Sequence, residues 1–355
     1  MKKPIVTVLI DTYNHERFIE QAIASVLEQD FPFSEAEIIV VDDGSTDPTP
    51  ELVRRFEPRV RLLRKTNGGQ ASAFNAGILE ARGEIVAFLD GDDWWAPNKV
   101  SRVVEAITSD PSLGIVGHGI VMVQLDGREQ TEILREGFRF RADTVEGARL
   151  LRVRGSLLGT SRMTIRAEVL RQIGRIPEAI VVQADEYLST LAAVLAGVQI
   201  LPETLAFYRL HEANGFQMST HDPHRMRRKQ LALGALSTSL SERLTELGIE
   251  PRVNRTVLEF IQASAEQLRL MLDGGWSWET VKTEQTIYAV LHPNAPFSHR
   301  LFKMMTLLPA AAVPPRFYYG IRQKLSESDL YLRARKRWLP IPEMSHLNRD
   351  SRTGS

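Results

Sequence analysis

The feature that most limits what this 355-residue chain can fold into is an alternation that fills roughly its first 110 residues. Residues 5–10, 38–41, 60–63 and 85–89 are short, largely apolar runs rich in Val and Ile, and they read as buried strands. Residues 16–29 and 70–81 carry apolar side chains at helical spacing, and Pro50 and Pro97 suit the first turns of helices over 50–56 and 97–108. Strands that alternate with helices join by right-handed crossovers into a mostly parallel α/β sheet flanked by helices. Ligands of such sheets bind beyond the carboxyl ends of the strands.

Those strand ends are acidic. Asp11 closes the first, Asp42 and Asp43 the second, and Asp90, Asp92 and Asp93 the fourth. Carboxylates this close repel unless solvent or a cation screens them. Hard divalent ions such as Mg2+ or Mn2+ take carboxylate oxygens and share their shell with substrate phosphates. Gly44 permits a positive-φ turn after the second strand, where a carboxylate can accept from a nucleobase N–H or a ribose hydroxyl. Each motif alone also has a plainer reading, a solvated acidic turn at 90–93 and a turn capped by Ser45, Thr46 or Asp47. Asp185 and Glu186 open a predicted helix over 185–196, where the helix dipole by itself favours acids.

Taken together, Thr12-Tyr13-Asn14, the Asp-Asp-Gly-Ser turn at 42–45, Asn67-Gly68-Gly69, Asn75-Ala76-Gly77 and Asp90-Gly91-Asp92-Asp93 before Pro97 closely resemble the family 2 glycosyltransferases of GT-A fold. The motif-dense likeness covers about residues 4–110 and continues more loosely to about 215. It implies an inverting enzyme that moves a sugar from a nucleotide sugar, a UDP-sugar first, to a hydroxyl of a saccharide, lipid-linked or protein acceptor in polysaccharide or glycoconjugate synthesis. It implies donor contacts from Thr12, Tyr13, Asn14, Asp42, Asp43, Asn67, Gln70, Asp90, Gly91, Asp92 and Arg209. A divalent metal, Mn2+ or Mg2+, is implied at Asp92 or Asp93, with His211 of the Tyr208-Arg209-Leu210-His211 segment completing the site and Asn214 close by. The catalytic base implied is Glu186, counting through the helix to Gly197, with Asp185 as second choice. Three departures stand out: Phe74 replaces the family's usual arginine, Asp11 its usual proline, and Asp185-Glu186 reverses its usual Glu-Asp order. Nucleotidyl transfer and a non-catalytic nucleotide-sugar-binding module are the competing readings.

Lys+Arg and Asp+Glu both number 44, so a globally basic nucleic-acid binder is not expected. Without cysteine there is no disulfide framework, thiolate zinc site or cysteine nucleophile. No run of eighteen apolar residues occurs and the first residues lack a signal-peptide core, so cytoplasmic residence is expected, or a peripheral place at the inner face of the membrane. Beyond 216 the pattern is helical, over 226–247, 257–272 and 276–291. The expected organisation is a GT-A domain over 1–215, with a nucleotide-sugar half (1–110) and an acceptor half (111–215), then a helical region over 216–355. Within 300–339, nine Lys and Arg stand against two acids among apolar and aromatic residues. That segment reads either as a contact with an anionic membrane or as a helical appendage with a solvated basic face.

Overall fold

The computed structural model describes residues 3–211, 222–292 and 295–326. The chain parts into two compact units, one ending at Ala265 and one beginning at Glu266.

In the first unit the four expected strands are β1 (Val6–Thr12), β2 (Ala36–Asp42), β3 (Arg61–Arg64) and β4 (Ile85–Asp90). They lie side by side as β3-β2-β1-β4, all parallel. Between them run α1 (Ile19–Leu27), α2 (Thr49–Arg54) and α3 (Gln70–Glu80). β1 shows why its run is apolar throughout. Val6, Val8 and Ile10 pack with Ile19 and Ile23 of α1, while Leu9 faces α3, where a Cβ on Gly77 would meet its side chain. A strand covered on both faces has no solvent side for polar residues.

The rest of the sheet is mixed. After β5 (Trp94–Trp95) and α4 (Lys99–Ser109) comes β6 (Leu113–Gln124), one long strand. Gly117, His118 and Gly119 interrupt its apolar pattern, yet all three are buried and paired with β10. Next come β7 (Glu129–Thr131), β8 (Phe138–Phe140), α5 (Val145–Arg154), β9 (Thr164–Arg166), α6 (Ala167–Ile173), α7 (Ala184–Leu195) and β10 (Gly197–Leu210). β9 inserts antiparallel between β4 and β6, and β10 runs parallel to β6. Strands as short as β5 and β7–β9 have no readable period, and they exist because long neighbours offer them partners.

α8 (Pro223–Glu246) starts at Asp222, whose side chain accepts from the N–H groups of His224 (2.9 Å) and Arg225 (3.3 Å). α9 (Pro251–Asp273) crosses from the first unit to the second. The second unit continues with α10 (Ser277–Leu291), α11 (Phe297–Ala312) and α12 (Pro315–Ser326), around a core of Leu270, Leu307, Ala310, Tyr318 and Tyr319. Glu284 is buried there, accepting from Gln267 Nε2 at 2.7 Å and paired with Lys303 at 3.2 Å and with Arg322. No helix among the described residues is long and apolar enough to cross a membrane.

The turn into β4 tolerates no side chain. A Cβ on Gly83 would stand 2.4 Å from Thr7 N and 2.8 Å from Ile85 O, both backbone atoms of the sheet. Gly83→Ala is therefore expected to destabilise the protein by about 1–3 kcal/mol, read from urea unfolding. An unchanged midpoint would show that this edge of the sheet yields more easily than its pairing implies.

Candidate active site

Because β1, β2 and β4 are parallel and in register, their last residues meet at one edge. Thr12 lies opposite Asp42, and Asp11 opposite Asp90. The loops beyond are stitched together. Asn14, at φ 57, donates its N–H to Ser45 Oγ (2.8 Å), and its side chain accepts from Thr46 N (2.8 Å). Thr12 Oγ1 lies 3.2 Å from His15 Nδ1, and Tyr13 projects outward, 43% exposed.

Asp42 accepts from Ser45 N (3.1 Å), and Arg64 Nε lies 3.1 Å from its other oxygen. Asp43 accepts from the N–H groups of Gly68 (3.1 Å) and Gly69 (2.7 Å) and from Lys65 Nζ (2.6 Å). Asn67 Nδ2 donates to the Asp43 carbonyl at 3.0 Å. The Asn67-Gly-Gly turn is thus a nest of amides closing on a carboxylate. Gly69 is required in it, because its φ is 82° and a Cβ would lie 2.6 Å from Val181 O. Gln70 then ties α3 to the opposite wall, donating to Thr160 Oγ1 (3.2 Å) and accepting from Ala184 N (3.0 Å).

At the centre, Asp90, Asp92 and Asp93 each offer an oxygen within 4.8 Å of the others. Burial pushes the Asp90 carboxyl well above its ordinary value, with the charges of Asp11 and Asp92 adding to it. Burial, with Asp92, likewise pushes Asp11 up to about 8. Asp93 is also pushed up, by burial and Asp92, although it accepts from Ser161 Oγ (2.6 Å) and Arg209 N (2.9 Å). Asp92 differs. Burial acts against its charge, but His211 Nε2 at 2.9 Å and His15 Nε2 at 3.7 Å outweigh that and hold its carboxyl below the usual range. Gly91 keeps the turn tight, since a Cβ there would lie 2.7 Å from Thr12 Oγ1.

The two acids at the start of α7 diverge. Asp185 accepts from Thr160 N (3.2 Å), and its charge acts on Asp11 and Asp90; burial and the neighbouring Glu186 push it up to about 6. Glu186 turns aside to Arg152 Nη1 (3.0 Å) and Gln183 Nε2 (3.0 Å). The Arg209 guanidinium is sandwiched between the rings of Phe18 (4.7 Å) and Trp94 (4.5 Å) and donates from Nε to the Asp92 carbonyl at 2.9 Å. The His211 ring meets that of Phe18 at a tilt of 43°, with centroids 4.8 Å apart, and Asn214 lies outside the described residues.

This donor set fits a hard divalent cation. It offers carboxylate oxygens and imidazole but no thiolate, and Asp11 Oδ1 is buried without a hydrogen-bond partner. Burial and neighbouring carboxylates push Asp11, Asp90, Asp93 and Asp185 upward, and the positive charge of such an ion would offset that. His15, Phe18, Trp94, Arg152, Thr160 and Ser161 escaped the sequence reading. Trp94 adjoins an acidic motif and could have been flagged. Thr160 and Ser161 sit in a short turn far along the chain from their partners and carry no signal.

Comparison with known proteins bears on the family and the fold. The family profile of glycosyl transferase family 2 matches residues 7–174. An uncharacterized glycosyltransferase of Nostoc sp. is 31% identical over 263 residues, which span 72% of this chain and 75% of that protein. Among solved structures, the mannosyltransferase PcManGT of Pyrobaculum calidifontis, in complex with GDP-Man and Mn2+, aligns with a TM-score of 0.54 at 20% identity, over 94% of this chain and 84% of that one. TarS 1-349 of S. aureus, in complex with UDP-GlcNAc, aligns with a TM-score of 0.53 at 20% identity, over 84% and 92% respectively. At such identities the two structures speak for the fold. With the parallel strand ends and their acids in place, the profile and the Nostoc relative lead to one conclusion: the chain is a glycosyltransferase and belongs to glycosyl transferase family 2.

Proposed function

We propose that this glycosyltransferase is inverting, and that it moves a sugar from a UDP-sugar to a hydroxyl of a saccharide, lipid-linked or protein acceptor in polysaccharide or glycoconjugate synthesis. The observation that carries the reading is the meeting of Asp90, Asp92, Asp93 and Asp185 at the parallel strand ends. Thr12, Tyr13, Asn14, Asp42, Asp43, Asn67 and Gln70 hold the nucleotide in this reading. Asp90, Gly91 and Asp92 face ribose and sugar, and Arg209 meets the diphosphate, a geometry that suits a guanidinium. Asp92 leads the ligands of a Mn2+ or Mg2+ ion, with Asp93 and His211 beside it; both Asp93 oxygens already accept hydrogen bonds, which favours Asp92. Such an ion, when bound, offsets the charge on the departing nucleotide.

Of the two base candidates, Asp185 now stands first. It lies toward the acids, and a carboxyl raised to about 6 is poised to take a proton near neutral pH. Glu186 is committed to Arg152 and Gln183. Asp185 takes the acceptor hydroxyl's proton as that oxygen attacks the anomeric carbon from the face opposite the nucleotide, which inverts the centre. The proposed organisation keeps the donor half in 1–110, the acceptor half in 111–215 and the helical region beyond.

A thermal-shift series with UDP-, GDP- and dTDP-sugars, with and without Mn2+, tests the reading. At a hundredfold excess over Kd, a ligand of the folded state adds about 2.7 kcal/mol. The expected result is a shift with the UDP-sugar that needs Mn2+, accompanied by slow donor hydrolysis. A shift with no hydrolysis or transfer would point to a binding module, and release of diphosphate with a nucleoside triphosphate to nucleotidyl transfer.

A further inference from the structure

α11 has two opposed apolar faces. One carries Leu307 and Ala310 into the core of its unit, at 3% and 0% exposure. The other needs no such partner to be apolar, and it is. Phe297, Leu301, Met304, Met305 and Leu308 recur at spacings that, at 3.6 residues per turn, fall within about 100° of arc. All five are exposed, at 79%, 47%, 60%, 61% and 68%. α12 repeats the pattern, burying Tyr318 and Tyr319 while Phe317 and Ile321 remain exposed. Contiguous apolar surface of this kind marks an interaction site.

The charge accompanying it has one sign. From Phe297 to Ser326 the sequence holds Arg300, Lys303, Arg316, Arg322 and Lys324 and no Asp or Glu. Lys303 and Arg322 reach Glu284; Arg300, Arg316 and Arg322 are exposed, with Arg300 also donating to the Ala295 carbonyl and Arg316 to that of Leu272. An apolar stripe on a segment whose own charges are all cations complements a surface that is oily below and anionic above.

We infer that the outward face of α11 docks on an anionic lipid surface, lying in the headgroup plane with its large apolar side chains among the acyl chains and its cations at the phosphates. The helix lies on the bilayer and does not cross it. Docking of this kind would hold the chain at the surface where lipid-anchored acceptors lie, a consequence that rests on the transferase reading, whereas the docking itself stands on α11 and α12.

Flotation of the full chain tests this with vesicles of phosphatidylcholine alone and of phosphatidylcholine mixed with phosphatidylglycerol. The expected result is recovery with the mixed vesicles, little with phosphatidylcholine, and release as salt is raised. The quadruple variant Leu301→Gln, Met304→Gln, Met305→Gln, Leu308→Gln replaces only exposed side chains. It is expected to lose about tenfold or more of the vesicle-bound fraction while keeping its melting curve. The idea is overturned if the full chain stays behind with both vesicles, or if the variant floats as well as the parent. It is equally overturned if light scattering shows a dimer that the variant breaks and no lipid binding, which would give the face to a second copy. Donor hydrolysis, measured alongside, reports on the transferase reading separately.

Discussion

Asp92→Asn is expected to lower kcat/KM by about 10³-fold, and to abolish the part of donor binding that needs Mn2+. The size follows from the proposed role. Stabilising charge on a departing nucleotide contributes several kcal/mol, and each 1.4 kcal/mol is a factor of about ten. The same cluster makes an opposite prediction for stability. Asp11, Asp90, Asp93 and Asp185 all have raised carboxyls, Asp11 to about 8 and Asp185 to about 6. Groups raised in this way bind more protons folded than unfolded, so the cation-free protein loses stability as pH climbs from about 4, the unfolded carboxylate value, toward about 8. Mn2+ is expected to restore that loss. Asp90→Asn is expected to relieve part of it without the ion, because it removes a carboxylate from a crowded buried site. Steady-state transfer assays and melting curves from acid to mildly alkaline pH, with and without Mn2+, check both halves. Full activity in Asp92→Asn would remove the cation from this site's chemistry. A cation-free protein that gains stability over that pH range would show that its acids are not crowded.

The second large effect belongs to Asp185. Asp185→Asn keeps the shape and the hydrogen bond from Thr160 but cannot take a proton, so kcat is expected to fall by about 10²–10⁴-fold with donor affinity little changed. In the parent, kcat/KM is expected to rise with pH through about 6, because the base acts only when deprotonated. Glu186→Gln is the paired control. It weakens the Arg152 contact at 3.0 Å while leaving Asp185 in place, and a much smaller fall is expected. If Glu186→Gln proves the more damaging of the two, the base is Glu186 and the roles exchange.

Much of the acidic strand edge was legible from residues 4–110. Buried parallel strands announce themselves by unbroken apolar runs, and an acid that ends such a run has nowhere to go but the sheet edge. Asn67-Gly68-Gly69 stood out in the sequence only as a motif; that its amides form a nest closing on the Asp43 carboxylate did not show. Less could be read between 111 and 215. β9 owes its existence to β4 and β6, and β10 hides its alternation behind Pro202 and the register shifts on either side of Thr204.

What the sequence by itself determined is therefore local: the strand-helix alternation of the first 110 residues, the acids at three strand ends, and the absence of any thiol chemistry. Tertiary structure alone decided which acid faces which partner. Asp185 and Glu186 are neighbours on a helix and point about 100° apart. Which of them lies toward the other acids is set by how Tyr187, Leu188 and Leu191 seat α7 in the core, and no count along the chain measures that rotation. The same holds for Ser161 on Asp93 and His211 on Asp92, separations of 68 and 119 residues closed only by the fold. Periodicity and short motifs encode what neighbouring residues do to one another. The pairing of distant residues is written in packing, which exists only once the chain has folded.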